Sequence, residues 1–142
     1  MSTLARAMTI ACLEFQHKTD KGGRPYAEHC MVVAEGVRQL GDEAMIVGWL
    51  HDLVEDTHWT LEMLRDEGFS ETVIDAIKCM THNDGDDYLE VYIKNISLNE
   101  IATAVKKSDL SHNMDIRRLK GLRKKDFDRL EKYARAYTYL DF

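Results

Sequence analysis

Apolar residues recur along the chain at the three- and four-residue spacing of an amphipathic α-helix. In the first segment Leu4, Met8, Ala11 and Phe15 share one face, which predicts a helix over residues 3–17. Strand signals are weak, because no segment alternates β-branched and polar residues over a sustained length. The pattern therefore predicts an all-α protein.

Proline, glycine and capping residues divide the rest of the chain into further helices. Pro25 suits a helix start, while Asp42, Thr60 and Ser70 suit N-caps and the sequence NDGDD suits a turn. The further predicted helices cover residues 26–40, 43–56, 61–68, 71–82, 88–96, 97–119 and 124–140. This gives a bundle of about seven or eight helices. Because no linker interrupts it, we expect a single domain over residues 1–142.

The charge and composition narrow the classes of partner. The net charge of −6 argues against broad binding to nucleic acid or to an anionic membrane. No segment approaches the roughly 20 apolar residues of a membrane span, and none resembles a signal peptide. The cysteines, Cys12, Cys30 and Cys79, form no CxxC pair and suit reduced thiols in a cytoplasmic protein. The sequence leaves undecided whether the chain forms a homodimer.

A cluster of polar residues interrupts the most apolar predicted helix. In the sequence WLHDLVEDTH, residues 49–58, four groups can bind a metal or carry a proton: His51, Asp52, Glu55 and Asp56. On a continuous helix, residues four apart share a face, so His51 aligns with Glu55 and Asp52 with Asp56. Unpaired, such groups would cost several kcal/mol in a buried segment. This favours a metal or catalytic site over a structural polar network.

Imidazole and carboxylate groups together suit manganese, iron or zinc. Two ligands do not hold a metal firmly, and His29 and Asp109 on other predicted helices are the candidates to complete the set. A site of His29, His51, Asp52 and Asp109 would leave coordination positions for water, as a hydrolytic centre requires.

Two further groups of residues surround this expected metal site. Glu55 and Asp56, one helical turn from the expected ligands, could orient or deprotonate a water or protonate a leaving oxygen. The glycine-rich loop KTDKGGRP places Lys18, Lys21 and Arg24 shortly before His29. Three cations on such a loop of an acidic protein favour phosphate binding over a plain solvated surface.

Three other features have less specific interpretations. Lys106, three residues before Asp109, either faces the same site or is an ordinary surface lysine. His112 is expected to be structural or to support a ligand rather than to be one. The basic run RRLKGLRKK, residues 117–125, could meet phosphate or a partner, but we interpret it as a solvated turn between the last two helices.

Three ordered motifs resemble those of the HD-domain hydrolases of the RelA/SpoT type, which act on guanosine tetraphosphate. They are DKGGRPYAEH, HDLVEDT and VKKSDLSHNMD, and the resemblance covers nearly the whole chain. It implies a helical bundle, manganese as the metal, and hydrolysis of the 3′ pyrophosphate. No synthetase domain is expected within 142 residues, so the expected activity is degradation alone.

Position by position, the resemblance assigns a role to each candidate. The metal ligands are His29, His51, Asp52 and Asp109, the catalytic residues are Glu55 and Asp56, and the substrate contacts are Lys18, Lys21, Arg24 and Asn113. Asn113 would contact the nucleotide sugar, and the basic loop would receive the base and the 5′ phosphates. The chain departs from the family pattern where Phe15 replaces a histidine, where Cys30 replaces a proline, and where Lys21 is the nearest counterpart of a base-contacting arginine.

These departures keep other functions open. One alternative is an HD phosphohydrolase that acts on another nucleotide, such as a nucleoside 5′-monophosphate or a deoxynucleotide. The other is a nucleotide-binding module without catalysis, although a binder would not need four ligands and an acidic pair. Comparing the products from several nucleotides would separate these alternatives.

Overall fold

The computed structural model describes residues 2–141 and is helical throughout. The nine helices found there are α1 (Leu4–Glu14), α2 (Tyr26–Glu35), α3 (Asp42–Leu50), α4 (Leu53–Asp56), α5 (Leu61–Asp66), α6 (Glu71–Met80), α7 (Lys94–Ser97), α8 (Glu100–Asn113) and α9 (Lys124–Leu140). Short 3-10 turns cover Arg38–Leu40 and Ile116–Arg118, and a π-helical turn covers Tyr88–Ile93. Within residues 2–141 the only β pairing is an isolated bridge between Thr19 and Pro25. The predicted all-α class is confirmed.

Helix starts follow the predicted capping residues in most places. Thr60 and Ser70 each accept a hydrogen bond from the backbone N–H three residues later, as expected of N-caps. The last helix has the predicted bounds. The prediction for Asp42 was wrong: Gly41, with φ of 97°, is the N-cap, and Asp42 is the first helical residue. There its carboxylate still lies at the positive end of the helix dipole.

Two predicted helices are shorter than their hydrophobic patterns indicate. α2 ends at Glu35, and Gly36 follows it where a Cβ atom would lie 2.2 Å from the Ser108 hydroxyl oxygen. The helix predicted over residues 97–119 begins only after Asn99, whose side chain caps it. Capping and close helix contact therefore override the apolar periodicity at these ends.

Helix α3 lies at the centre of the bundle, as its apolar composition predicts. All seven residues from Ala44 to Leu50 are buried, and the helix packs against α1, α2, α6 and α8. Its closest approach is to α2, where a Cβ atom on Gly48 would lie 2.7 Å from the Cα atom of Ala34. This close contact brings the ends of α2 and α3 that carry polar residues to the same site. None of the helices in the described part of the chain is both long and apolar enough to cross a bilayer.

Candidate metal centre and active site

The central helix does not continue through the polar cluster, and this corrects the sequence-based expectation. α3 ends at Leu50 and α4 begins at Leu53, with His51 and Asp52 between them. Asp52 has φ of −102° and ψ of 0°, which departs from regular helix. On a regular helix adjacent side chains point about 100° apart. The break instead allows both side chains to reach one point, with His51 Nε2 3.1 Å from Asp52 Oδ2.

His51 has one ring nitrogen bonded to the backbone and one directed into the cluster. Its Nδ1 lies 2.7 Å from the Gly48 carbonyl oxygen and donates a hydrogen bond to it, which leaves Nε2 with a free lone pair. The side chain is only 1% exposed. Within residues 2–141, Nε2 finds no hydrogen bond of acceptable geometry, although it is fully buried. Buried polar atoms nearly always have a hydrogen-bond partner, so a buried nitrogen without one indicates a site where a ligand binds.

His29 and Asp109 complete the cluster from α2 and α8. His29 Nε2 lies 2.9 Å from Asp109 Oδ1, and His51 Nε2 lies 3.3 Å from the same oxygen. His29 Nδ1 lies 2.7 Å from Nδ1 of His112, whose ring is stacked on it. Burial, together with the nearby Arg118 charge, lowers the pKa of His112 to about 4, so its ring stays neutral and can accept from His29. This is the support that the sequence led us to expect of His112.

The Asp109 carboxylate is held by further donors on its own helix. Lys106 Nζ lies 3.0 Å from Oδ2, and the Asn113 side-chain amide donates to Oδ1 at 3.1 Å. Burial alone would raise the pKa of Asp109, but the Lys106 charge and the two histidines outweigh it and hold the pKa well below the usual range. Lys106 is itself buried, so of its two interpretations the one that faces the site is correct.

Tyr26 supports the second carboxylate of the cluster, that of Asp52. Its hydroxyl donates a hydrogen bond to Asp52 Oδ2, and its ring stacks on that of His29 at a centroid distance of 5.4 Å. The Phe15 ring packs edge-on against the Tyr26 ring, with the two ring centroids 4.9 Å apart. Sequence reasoning gave Tyr26 no role, although it lies within the quoted motif DKGGRPYAEH.

The donor set fits a divalent ion. His29, His51 and Asp52 each offer a ligand atom within 4.8 Å of the others, and Asp109 adds a carboxylate oxygen next to both imidazoles. Mixed nitrogen and oxygen donors suit a borderline divalent metal. The second-shell hydrogen bonds that orient such ligands are present on His29, His51 and Asp52. The cluster is therefore a candidate metal-binding site.

The acidic pair lies beside the cluster on α4. Glu55 accepts a hydrogen bond from the His82 backbone N–H at 2.7 Å, and Asp56 forms an ion pair with Lys18 at 2.9 Å. Partial burial, followed by repulsion from Asp52 and Asp56, raises the pKa of Glu55 despite that hydrogen bond. Neither carboxylate lines the neighbouring cleft directly.

A cleft of about 330 Å³ opens beside the cluster. We call it the nucleotide cleft after the ligand that we propose for it below. His29 and Tyr26 form part of its wall on the cluster side. Its charged and polar lining residues are Lys18, Asp20, Lys21, Asn113, Asp115, Arg118, Asp126 and Arg129. Leu119, Leu130 and Tyr133 add an apolar side. Four cations and three carboxylates thus line the cleft together with an apolar side.

Three of the four expected substrate contacts line the nucleotide cleft: Lys18, Lys21 and Asn113. Arg24 does not; it is exposed and forms an ion pair with Glu28 at 2.7 Å. Sequence reasoning missed Arg118 and Arg129, which reach the cleft from the segment after α8 and from α9. Their only sequence signal is the basic character of this region, which gives no indication of which side chains point inward.

Comparison with known proteins finds partial sequence relatives. No family model matches the chain. A probable guanosine-3′,5′-bis(diphosphate) 3′-pyrophosphohydrolase of Synechocystis is 43% identical over 63 residues, which are 43% of this chain and 8% of that protein. A probable GTP pyrophosphokinase of Mycobacterium leprae is 35% identical over 69 residues, which are 47% of this chain and 9% of that protein. The matched regions thus span less than a tenth of the length of either relative.

The fold has a solved counterpart. The structure described as a metazoan ortholog of SpoT that hydrolyzes ppGpp superposes with a TM-score of 0.79 and 19% identity. The alignment covers 99% of this chain and 85% of that one. The sequence similarity, the helical architecture and the histidine–aspartate cluster agree with one another. The chain therefore has the helical fold of that structure, and over less than half of its length it is similar in sequence to the two bacterial relatives.

Proposed function

We propose that the protein is a metal-dependent phosphohydrolase that removes pyrophosphate from the 3′ position of guanosine tetraphosphate or pentaphosphate. Water adds to the phosphorus next to the ribose, the bond from phosphorus to the 3′ oxygen breaks, and that oxygen takes a proton. The products are pyrophosphate and GDP or GTP. The observation that carries this proposal is the buried Nε2 of His51, which has no hydrogen-bond partner within residues 2–141. It lies in a cluster of two histidines and two carboxylates, beside a cleft lined by four cations and three carboxylates.

Four residues would hold the metal: His29, His51, Asp52 and Asp109. A divalent ion bound there, which we propose is manganese, would polarise a phosphoryl oxygen and lower the pKa of a coordinated water. The protein's part is to present the donors in a fixed arrangement. Lys106 and Asn113 contribute to this because they hold the Asp109 carboxylate from its own helix.

We assign proton handling to the acidic pair. The pKa of Glu55 is raised above that of a free glutamate, chiefly by burial, and this direction suits a group that gives a proton to the leaving oxygen. Asp56 lies close to the site and forms an ion pair with Lys18. It is placed to orient the attacking water once substrate phosphate competes for that lysine.

The nucleotide cleft would position the substrate. Phosphoryl transfer depends chiefly on placement and on neutralisation of charge, so cations at the cleft wall supply much of what the reaction needs. Lys18, Lys21 and Arg129 are the cleft cations we assign to phosphate groups, and Asn113 is assigned to the sugar. Free thiols at Cys12, Cys30 and Cys79 support a cytoplasmic location, where the reaction would reverse a stress signal.

One observation favours a second candidate, hydrolysis of another nucleotide. Phe15, buried beneath Tyr26, occupies the position where the family pattern has a histidine. An apolar ring there changes the support of the glycine-rich loop, and with it the expected base contacts.

A panel of substrates tests the proposal. The pure protein is incubated with Mn²⁺ and guanosine tetraphosphate, a nucleoside 5′-monophosphate or a deoxynucleotide, and the products are resolved. Release of pyrophosphate and GDP, lost in Asp52→Ala, is the expected result. Turnover of only the monophosphate or the deoxynucleotide would rule out guanosine tetraphosphate as the substrate and support the second candidate. No turnover of any of them by protein with bound manganese would refute both.

A further inference from the structure

A second concave surface adjoins the nucleotide cleft, and we call it the basic hollow. It has a volume of about 400 Å³ and lies where the 117–125 run meets the start of α9. Its charged lining residues are Lys21, Lys120, Arg123, Lys125, Asp126 and Arg129. Five of these six are cations, so the hollow carries a net positive charge, whereas the protein as a whole has a net charge of −6.

Four of the five cations of the basic hollow lack the ion-pair partners that most other cations in residues 2–141 have. Within residues 2–141, no carboxylate lies within ion-pair distance of Lys21, Lys120, Arg123 or Lys125. Arg24, Arg38 and Arg65, by contrast, are each paired with a glutamate.

The one carboxylate that lines the hollow already has a hydrogen-bond donor and an ion-pair partner. Asp126 accepts a hydrogen bond from the Arg123 backbone N–H at 2.8 Å and forms an ion pair with Arg129. Burial, followed by repulsion from Arg129 and Lys125, lowers the pKa of Lys21. The cations therefore crowd one another, and an anion placed among them would relieve this repulsion.

We propose that the basic hollow is a metal-independent binding site for a di- or triphosphate group. Phosphate oxygens are the ligands that clustered lysine and arginine side chains recognise best. Lys21 and Arg129 line both the hollow and the nucleotide cleft. The occupant is therefore the far polyphosphate of a nucleotide in the cleft or a free polyphosphate anion beside it. The inference rests on the proposed function only in the first of these cases.

Binding of inorganic pyrophosphate to the full chain without divalent metal, measured by calorimetry, tests this site. The double variant Arg123→Gln, Lys125→Gln removes two exposed cations of the hollow. The double variant Lys78→Gln, Lys94→Gln removes two exposed lysines elsewhere that form no ion pair within residues 2–141, and it changes the net charge by the same amount. Each lost charge-assisted hydrogen bond weakens binding about tenfold or more. We expect that loss in the first variant and near-normal binding in the second.

Lys120→Gln provides an independent check, because Lys120 is exposed and lies outside the helices. It should weaken pyrophosphate binding in the same direction. Equal losses in both double variants would reduce the effect to net charge and overturn the proposal, as would an absence of pyrophosphate binding to the unmodified protein. Because this test involves no metal and no turnover, its result does not depend on whether the protein hydrolyses guanosine tetraphosphate.

A comparison of GDP with GMP identifies the source of the polyphosphate. If the hollow holds the far end of a cleft nucleotide, GDP binds more tightly than GMP, and Arg123→Gln, Lys125→Gln abolishes that preference. If it holds a free anion, pyrophosphate binds equally well with and without saturating GMP, and GDP has no advantage. Either result supports the site and names its ligand.

Discussion

The Tyr26 hydroxyl donates its hydrogen bond to Asp52 Oδ2, the carboxylate oxygen that lies 3.1 Å from His51 Nε2. A residue at the first turn of α2 thus fixes the orientation of a candidate metal ligand beyond the end of α3. Tyr26 also stacks on His29, so a single side chain supports two of the four donors.

Tyr26→Phe should weaken Mn²⁺ binding about tenfold to a hundredfold, the usual effect of removing a second-shell partner. The ring is retained, so its packing on His29 and Phe15 should survive, and thermal unfolding should change little. Calorimetric titration with Mn²⁺ measures the affinity. Tyr139→Phe, on an exposed part of α9, is the matched control. Unchanged affinity in Tyr26→Phe would show that the hydroxyl does not position Asp52.

Lys18→Gln should raise KM about tenfold and lower kcat less, because the residue is assigned to substrate phosphate. Its ion pair with Asp56 is well exposed, so the free energy of unfolding should change by less than about 1 kcal/mol. Steady-state kinetics and urea unfolding separate the two effects. Arg24→Gln, outside the cleft, is the control. A larger effect of Arg24→Gln than of Lys18→Gln would reverse the assignment.

Gly48→Ala should lower the free energy of unfolding by about 1–3 kcal/mol, the usual cost of overpacking a core. The added Cβ atom would lie 2.7 Å from the Cα atom of Ala34, and backbone cannot move aside as a flexible side chain can. Urea denaturation measures this loss. Metal affinity should fall with it, because His51 directly follows α3 and the Gly48 carbonyl holds the His51 ring. A fully stable variant would contradict the close contact between α2 and α3.

Asp20 ties the glycine-rich loop to Arg118, which lies 98 positions further along the chain, through a 2.8 Å ion pair. Its Oδ1 also accepts from the backbone N–H groups of Gly22 and Arg24. Burial would raise the pKa of Asp20, but these hydrogen bonds outweigh it and lower the pKa. A lowered folded pKa gives stability that is present above the unfolded pKa and is lost as pH falls through the folded value.

Asp20→Asn should therefore cost about 1–2 kcal/mol at pH 7. The difference from the unmodified protein should shrink as the pH falls below about 4, the ordinary aspartate range. Urea unfolding at several pH values follows it. Asp66→Asn, which removes an exposed carboxylate without an ion pair in the described chain, serves as the control. A difference that stays constant from neutral to acidic pH would rule out ionised Asp20 as the cause.

The sequence predicted helices better than it predicted their interruptions. The amphipathic pattern and flanking residues placed α9 at residues 124–140, and Thr60 and Ser70 were recognised as caps because capping is a local interaction. The break at His51 and Asp52 was missed, since both residues tolerate helical backbone and the apolar pattern continues across them.

The candidate metal ligands could be predicted from the sequence, but the residues that support them could not. The four candidate ligands could be named from residue type and from a resemblance between motifs. Tyr26, Arg118 and Arg129 could not, because their positions depend on how distant segments pack rather than on neighbouring residues. Arg24 shows the converse: a loop cation close to His29 in sequence pairs instead with Glu28 on the surface.

The most direct test of the account is a Mn²⁺ titration of pyrophosphate release from guanosine tetraphosphate, with metal binding measured on the same samples. Asp109→Asn is compared in parallel, because that carboxylate lies next to both imidazoles. The account predicts that release follows metal occupancy in the unmodified protein and that the variant loses both together. Release without metal, or full metal occupancy without release, would contradict it.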